Sequence, residues 1–199
     1  MDRFVRERPR ASQPTTSASE TTRERKKARS DAASSSGYGG KGDGQRETDG
    51  GASTSSKGFQ FREVRGNLFG CPEDESLAHC IDESVRMGKG IAKIFREKFG
   101  GVKELTSQGV KTGGVAVLRR GNRFVYYLVT KEKYWKKPTY DSLARSLRAM
   151  ADHCRKNEVT RVSMPRIGCG LDGLRWEKVE GLIKDVLGKT QITVTVYSL

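Results

Sequence analysis

The chain has 199 residues, 34% of them hydrophobic, and a formal net charge of +14 from 38 basic and 24 acidic residues. This length admits one domain, no run approaches the ~18 apolar residues of a membrane span, and the charged N-terminus lacks the apolar core of a signal peptide. A basic balance favours anionic partners: nucleic acid, phosphorylated ligands or anionic surfaces.

Segment 1–57 is rich in Ser, Thr, Gly, Arg and Glu, and its only large apolar side chains are Met1, Phe4, Val5 and Tyr38. It cannot bury enough apolar surface to offset the entropy of ordering it, so it reads as a disordered tail, with 37–51 as a flexible linker. Of the basic and acidic residues, 12 and 8 lie in this tail, leaving 26 against 16, an excess of +10, in 58–199. The remainder is long enough to bury a core.

Within that remainder Phe59-Gln-Phe-Arg-Glu-Val alternates as a strand does, and Gly66-Asn-Leu-Phe-Gly breaks it. Leu77-Ala-His-Cys-Ile reads as a buried strand. Gly88-Lys-Gly opens a helix whose apolar positions Ile91, Ile94, Phe95 and Phe99 follow helical spacing, and Gly100-Gly101 ends it. Val115-Ala-Val-Leu and Phe124-Val-Tyr-Tyr-Leu-Val are strands joined at Gly121-Asn122. Thr139 is a candidate N-cap for a helix whose Leu143, Leu147, Met150 and Cys154 share one face. Arg161-Val-Ser-Met is a strand, 165–173 is a glycine-rich loop, Leu174 to Val186 carries a last amphipathic helix, and Ile192, Val194 and Val196 alternate in a last strand. This order predicts an α/β fold: a mixed, mostly parallel central sheet with helices on both faces.

Ligands of such sheets bind beyond the carboxyl ends of the strands. Both glycine loops, Arg86-Met-Gly-Lys-Gly-Ile-Ala and Pro165-Arg-Ile-Gly-Cys-Gly-Leu-Asp, fall there, and backbone amides at a helix start suit a diphosphate. Tight turns without a ligand are the plainer reading. The stretch from Gly168 to Gly173 matches G-x-G-x-x-G, but a single strand follows it, so no second half of a dinucleotide fold can form. The four cysteines include no C-x-x-C pair, and free thiols with no metal site are expected.

Seven segments in order carry a resemblance: Val64-Arg-Gly-Asn-Leu-Phe, Ser76-Leu-Ala-His-Cys-Ile, the first glycine loop, Lys98-Phe-Gly-Gly-Val, Tyr127-Leu-Val-Thr-Lys, Lys137-Pro-Thr-Tyr and Ser163-Met followed by the second loop. Together they resemble the terminal ADP-ribose protein glycohydrolases, a macrodomain family of O-acyl-ADP-ribose deacylase type. The likeness runs over the whole of 58–199 and leaves the tail uncovered. It implies a macrodomain with an ADP-ribose cleft, no cofactor, and hydrolysis of the ester joining ADP-ribose to glutamate or aspartate side chains of modified proteins. It also implies deacylation of O-acyl-ADP-ribose. Lys131 matches the family's nucleophile and Asp172 its second catalytic residue, an acid and base.

The resemblance further implies that Asn67, Leu68, Asp82, Gly88, Gly90, Arg166, Ile167, Gly168, Cys169, Gly170, Leu171 and Leu199 line the ligand site. Two positions depart from the family pattern. Asn67 stands where the family has an aspartate expected to bind the adenine amino group, and Asp82 stands where it has a serine. Asparagine keeps an acceptor without the charge; a carboxylate at 82 either hydrogen-bonds the ribose or repels the diphosphate.

Read from the residues alone, Lys131 is equally a surface lysine at a strand end, and Asp172 a helix N-cap or a plain ion-pair partner. Tyr134 and Trp135 among Lys133, Lys136 and Lys137 suit single-stranded nucleic acid as well as a solvated loop. Arg23-Glu-Arg-Lys-Lys-Ala-Arg reads as a nuclear import signal, a nucleic-acid arm or a bare charge run. The expectation is a monomer of the nucleoplasm and nucleolus, with a cytoplasmic share, in the DNA damage response. Two other functions stand beside the hydrolase: a non-catalytic ADP-ribose reader, and a nucleic-acid-binding domain without ADP-ribose recognition.

Overall fold

A computed structural model of the protein describes residues 58–199. The expected tail, with its linker and basic run, lies outside the described residues. Six strands form one sheet: β1 (Gln60–Arg65), β2 (Ser76–Asp82), β3 (Val115–Arg120), β4 (Arg123–Lys131), β5 (Arg161–Pro165) and β6 (Thr193–Ser198). Their order is β1-β6-β5-β2-β4-β3, and every neighbouring pair is parallel except β3 with β4. The exception is the hairpin anticipated at Gly121-Asn122, since two residues can return a chain only antiparallel.

Because successive strand residues point to opposite faces, β2 and β4 each feed two cores. Ala78, Tyr126 and Leu128 face helices α3 (Tyr140–Lys156) and α4 (Trp176–Leu187), where they pack with Leu143, Leu147, Met150, Val179 and Ile183. Leu77, Ile81, Val125, Tyr127 and Val129 face α1 (Gly90–Phe99) and α2 (Val102–Ser107), packing with Phe95 and Leu105. Strands buried on both sides read as unbroken apolar runs, which is why Leu77 to Ile81 gave no alternation.

Helix α3 starts on a capping box: Thr139 Oγ1 accepts from Ser142 N at 3.0 Å, and Ser142 Oγ accepts from Thr139 N at 3.1 Å. Helix α1 ends at Gly100, whose amide donates to the Arg96 carbonyl. Ile94 has helical spacing but is 41% exposed, on the flank of a stripe whose centre is the buried Phe95. The short α2 was not anticipated, because one buried residue, Leu105, makes no period. Among the described residues no helix is long and apolar enough to cross a membrane.

Candidate active site

The parallel register brings the carboxyl ends of β5, β2 and β4 side by side, with Asp82 opposite Lys131 after an irregularity at Ile81. Beyond them opens a cleft of about 700 Å³, walled by Cys80 to Asp82, both glycine loops and the segment 134–137. Arg86, Lys89, Lys131, Lys136, Lys137 and Arg166 line it against two carboxylates, Asp82 and Asp172, so its potential favours an anion. The first turn of α1, Gly90 to Ala92, forms part of the wall, and its N-cap Lys89 makes no side-chain cap. Its amides are therefore left for a ligand, with the positive end of the helix dipole behind them.

Of the residues singled out in the sequence, Asp82, Gly88, Gly90, Lys131, Arg166, Ile167, Gly168, Gly170, Leu171 and Asp172 line this cleft together. Four do not. Leu68 is buried in the α1-side core, Cys169 packs against the α3–α4 core, and Leu199 is 99% exposed. Asn67 caps a short 3-10 turn (Leu68–Gly70), its Oδ1 accepting from Phe69 N at 3.0 Å. Sequence reasoning placed the first glycine loop at this end but named only its Gly88 and Gly90 as ligand-lining, not Arg86, Met87 and Lys89; it omitted Cys80 and treated Tyr134 to Lys137 as a separate loop. Their position next to the glycine loop, or straight after Lys131, was the available signal.

Lys131 closes β4 and its ammonium donates to an Asp172 carboxylate oxygen; the two side chains are only 14% and 16% exposed. Asp172 is not the N-cap of α4, which begins at Trp176 after Arg175. It sits instead in a turn closed by Gly173 N to Gly170 O at 3.1 Å and Leu174 N to Gly168 O at 2.9 Å. Gly168 has φ +70, and a Cβ there would stand 2.8 Å from Leu174 Cδ1, so only glycine fits. Lys137 reaches across from the other wall, its Nζ donating to the Leu171 carbonyl at 2.8 Å.

The neighbouring thiols are biased toward their protonated forms. Burial, and then the Asp172 charge, push Cys80 up to about 12, and burial raises Cys169; the reactive thiolate is suppressed at both. Asp82 is engaged locally: its Oδ1 accepts from Ser84 N at 2.9 Å and from the Ser84 hydroxyl. Just beyond, Val85 and Met87 hold φ of +53 and +43 although both are buried. Such a conformation is strained for any side chain and most for a β-branched one. Of the two, Met87 lines the cleft.

The Macro domain family matches residues 78–183 of this chain. The ADP-ribose glycohydrolase OARD1 of Bos taurus is 55% identical over 144 residues, covering 72% of this chain and 95% of the relative. The protein of the same name from Homo sapiens is 55% identical over 143 residues, covering 72% and 94%. Among solved structures, the macrodomain of Thermus aquaticus DarG superposes with a TM-score of 0.65 at 26% identity, covering 71% of this chain and all of that one.

Proposed function

Because this chain belongs to the macrodomain family, we propose that it is an ADP-ribosyl-ester hydrolase, removing ADP-ribose from glutamate and aspartate side chains and deacylating O-acyl-ADP-ribose. The observation that carries this reading is the Lys131–Asp172 pair, held nearly dry in a cationic cleft at the strand ends. A reader needs the cleft and the amides but has no use for a nucleophile paired with its own base.

Each group has a defined task. The uncapped first turn of α1 and the glycine loops hold the diphosphate, and cations around the cleft offset its charge. Lys131 Nζ passes a proton to Asp172 and attacks the anomeric carbon of the distal ribose. A C–N bond forms as the C–O bond to the acceptor breaks, and the acceptor leaves as a carboxylate. The sugar ring of that adduct opens to a Schiff base. Water adds to its carbon with Asp172 returning the proton, the C–N bond breaks, and ADP-ribose leaves. Splitting the displacement into two steps lowers each barrier.

The substrates are ADP-ribosylated proteins, and the proposed setting is the nucleus, as a monomer. Release of ADP-ribose from a glutamate-modified protein tests the reading. Wild type is expected to release it, while Lys131→Ala and Asp172→Ala lose at least ~100-fold, as removal of a nucleophile or its acid-base partner does. Tight binding of free ADP-ribose with no release by wild type would make the protein a reader.

A further inference from the structure

Large apolar side chains left exposed beside a ligand cleft mark an interaction surface when they cluster. Seven are exposed among the described residues, and three of them, Tyr134 (54%), Trp135 (65%) and Leu171 (71%), line the cleft, with the Tyr134 and Trp135 rings 4.8 Å apart. Tyr134 and Trp135 lie three and four residues after Lys131, on the segment that leaves the end of β4, so we take their mouth of the cleft as the one on the Lys131 side. The Arg86 guanidinium reaches from the opposite wall to within 5.1 Å of the Tyr134 ring centre. Lys133 and Lys89 are exposed and make no ion pair with any described residue; Lys136 pairs with Glu132, the acidic residue of this segment.

On the reading that Lys131 attacks the carbon bearing the acceptor, whatever is attached there must leave by this mouth. We propose that Tyr134, Trp135, Lys133 and Arg86 form an acceptor-side surface that binds the modified polypeptide and favours carboxylates flanking the modified glutamate. Unpaired cations supply the charge preference, and the two rings supply apolar area for the peptide stem. The ring geometry speaks for a peptide over a single nucleic-acid strand. Tyr134 and Trp135 meet edge to face at 88°, with Arg86 over the Tyr134 ring. They offer no parallel platforms for successive bases, which need free ring faces to stack.

The test uses the full chain and two synthetic peptides, each carrying one ADP-ribosyl glutamate, flanked by aspartates in one and by glutamines in the other. Wild type is expected to show kcat/KM ~5-fold higher on the acidic peptide, the scale that a few rim ion pairs supply. In the variant Lys133→Ser/Tyr134→Ser/Trp135→Ser the ratio is expected to fall below ~2, and any general loss of activity cancels in that ratio. Salt gives an independent readout on wild type: at 0.5 M added salt, taken as about three times physiological ionic strength, the preference should collapse to a ratio near 1, and any weakening of diphosphate binding, which both peptides share, cancels in that ratio. Equal kcat/KM on both peptides overturns the surface and leaves the hydrolase standing. Hydrolysis of neither, despite binding of free ADP-ribose, removes the hydrolase and this inference with it. Equal peptide rates that a 12-nucleotide single strand inhibits would reassign the mouth to nucleic acid, since stacking would then dominate.

Discussion

His79 is the most consequential buried polar residue outside the cleft. It lies fully buried in the centre of β2, stacked on Phe95 at 3.9 Å and edge-on to Tyr127 at 4.7 Å. Neither ring nitrogen has a hydrogen-bond partner among the described residues. Burial lowers its pKa from 6.5 to about 3, so the folded protein holds the neutral ring. The unfolded chain takes up a proton below pH 6.5 that the folded chain refuses. The stability that depends on a neutral His79 is therefore complete above pH 6.5 and is lost as pH falls toward 3. At pH 5 the deficit is 1.5 pH units, or ~2 kcal/mol at 1.36 kcal/mol per unit. For a domain of this size that is ~7 °C in Tm. His79→Phe keeps the aromatic stack and removes the titration. At neutral pH, loss of the two orphan nitrogens (~1–3 kcal/mol gained) is set against mild overpacking of similar size. The informative quantity is the difference between pH 7.5 and pH 5, measured by urea unfolding followed by tryptophan fluorescence. Wild type should lose ~2 kcal/mol more than the variant over that interval, because all other groups titrate alike in both. Parallel losses in the two proteins would refute the argument.

Three further outcomes are expected. Lys137 is a positioning residue for Asp172 through the Leu171 carbonyl; Lys137→Met should lower kcat ~10-fold with a smaller change in KM, and Lys137→Arg should restore most of it, whereas an effect on KM alone would contradict a positioning role. Gly168→Ala, placed at φ +70 and against Leu174, should cost ~1–2 kcal/mol from the backbone alone and slow turnover through the displaced turn; an unchanged urea midpoint would contradict it. Borohydride added during turnover should fix ADP-ribose on Lys131, detected as a mass increase in its peptide, and a peptide that stays unmodified sinks the Schiff base.

Much of this fold was legible because its signals are local. The Thr139 cap and the spacing of Leu143, Leu147, Met150 and Cys154 specify α3, and all four prove fully buried. The two-residue turn fixed the antiparallel pair, and both glycine loops prove to wall the cleft at the strand ends. What sequence could not show is which residues distant in the chain share a wall. Leu68 and Leu199 lie on either side of that problem: one is drawn into a core by Phe95 and its neighbours, the other is left in solvent. Nor does spacing reveal that Lys137 reaches 34 positions along the chain to hold the turn that carries Asp172. That contact exists only because β4 and β5 flank β2 in the sheet.

Asn67 and Asp82, read in the sequence as departures from the resembled pattern, each have a local role in the backbone. Asn67 caps its 3-10 turn through a side-chain carbonyl, a role that asparagine and aspartate fill about equally well. The substitution thus keeps the local backbone and changes only the charge. Asp82 likewise spends an oxygen on the Ser84 amide and hydroxyl, a turn contact that a serine hydroxyl also makes, if more weakly. This contact does more than tidy a turn. It lies immediately before Val85 and Met87, whose strained φ values persist only if their surroundings over-determine them. Val85 N to Asp82 O at 3.1 Å and Glu83 N to Lys131 O at 3.1 Å complete the clamp. A stronger acceptor at 82 therefore helps hold the strained wall in place, and the same clamp ties the β2–α1 loop to the backbone of Lys131. The first glycine loop and Lys131 are in this way fixed to one another by main-chain hydrogen bonds, whatever side chain lines the cleft between them.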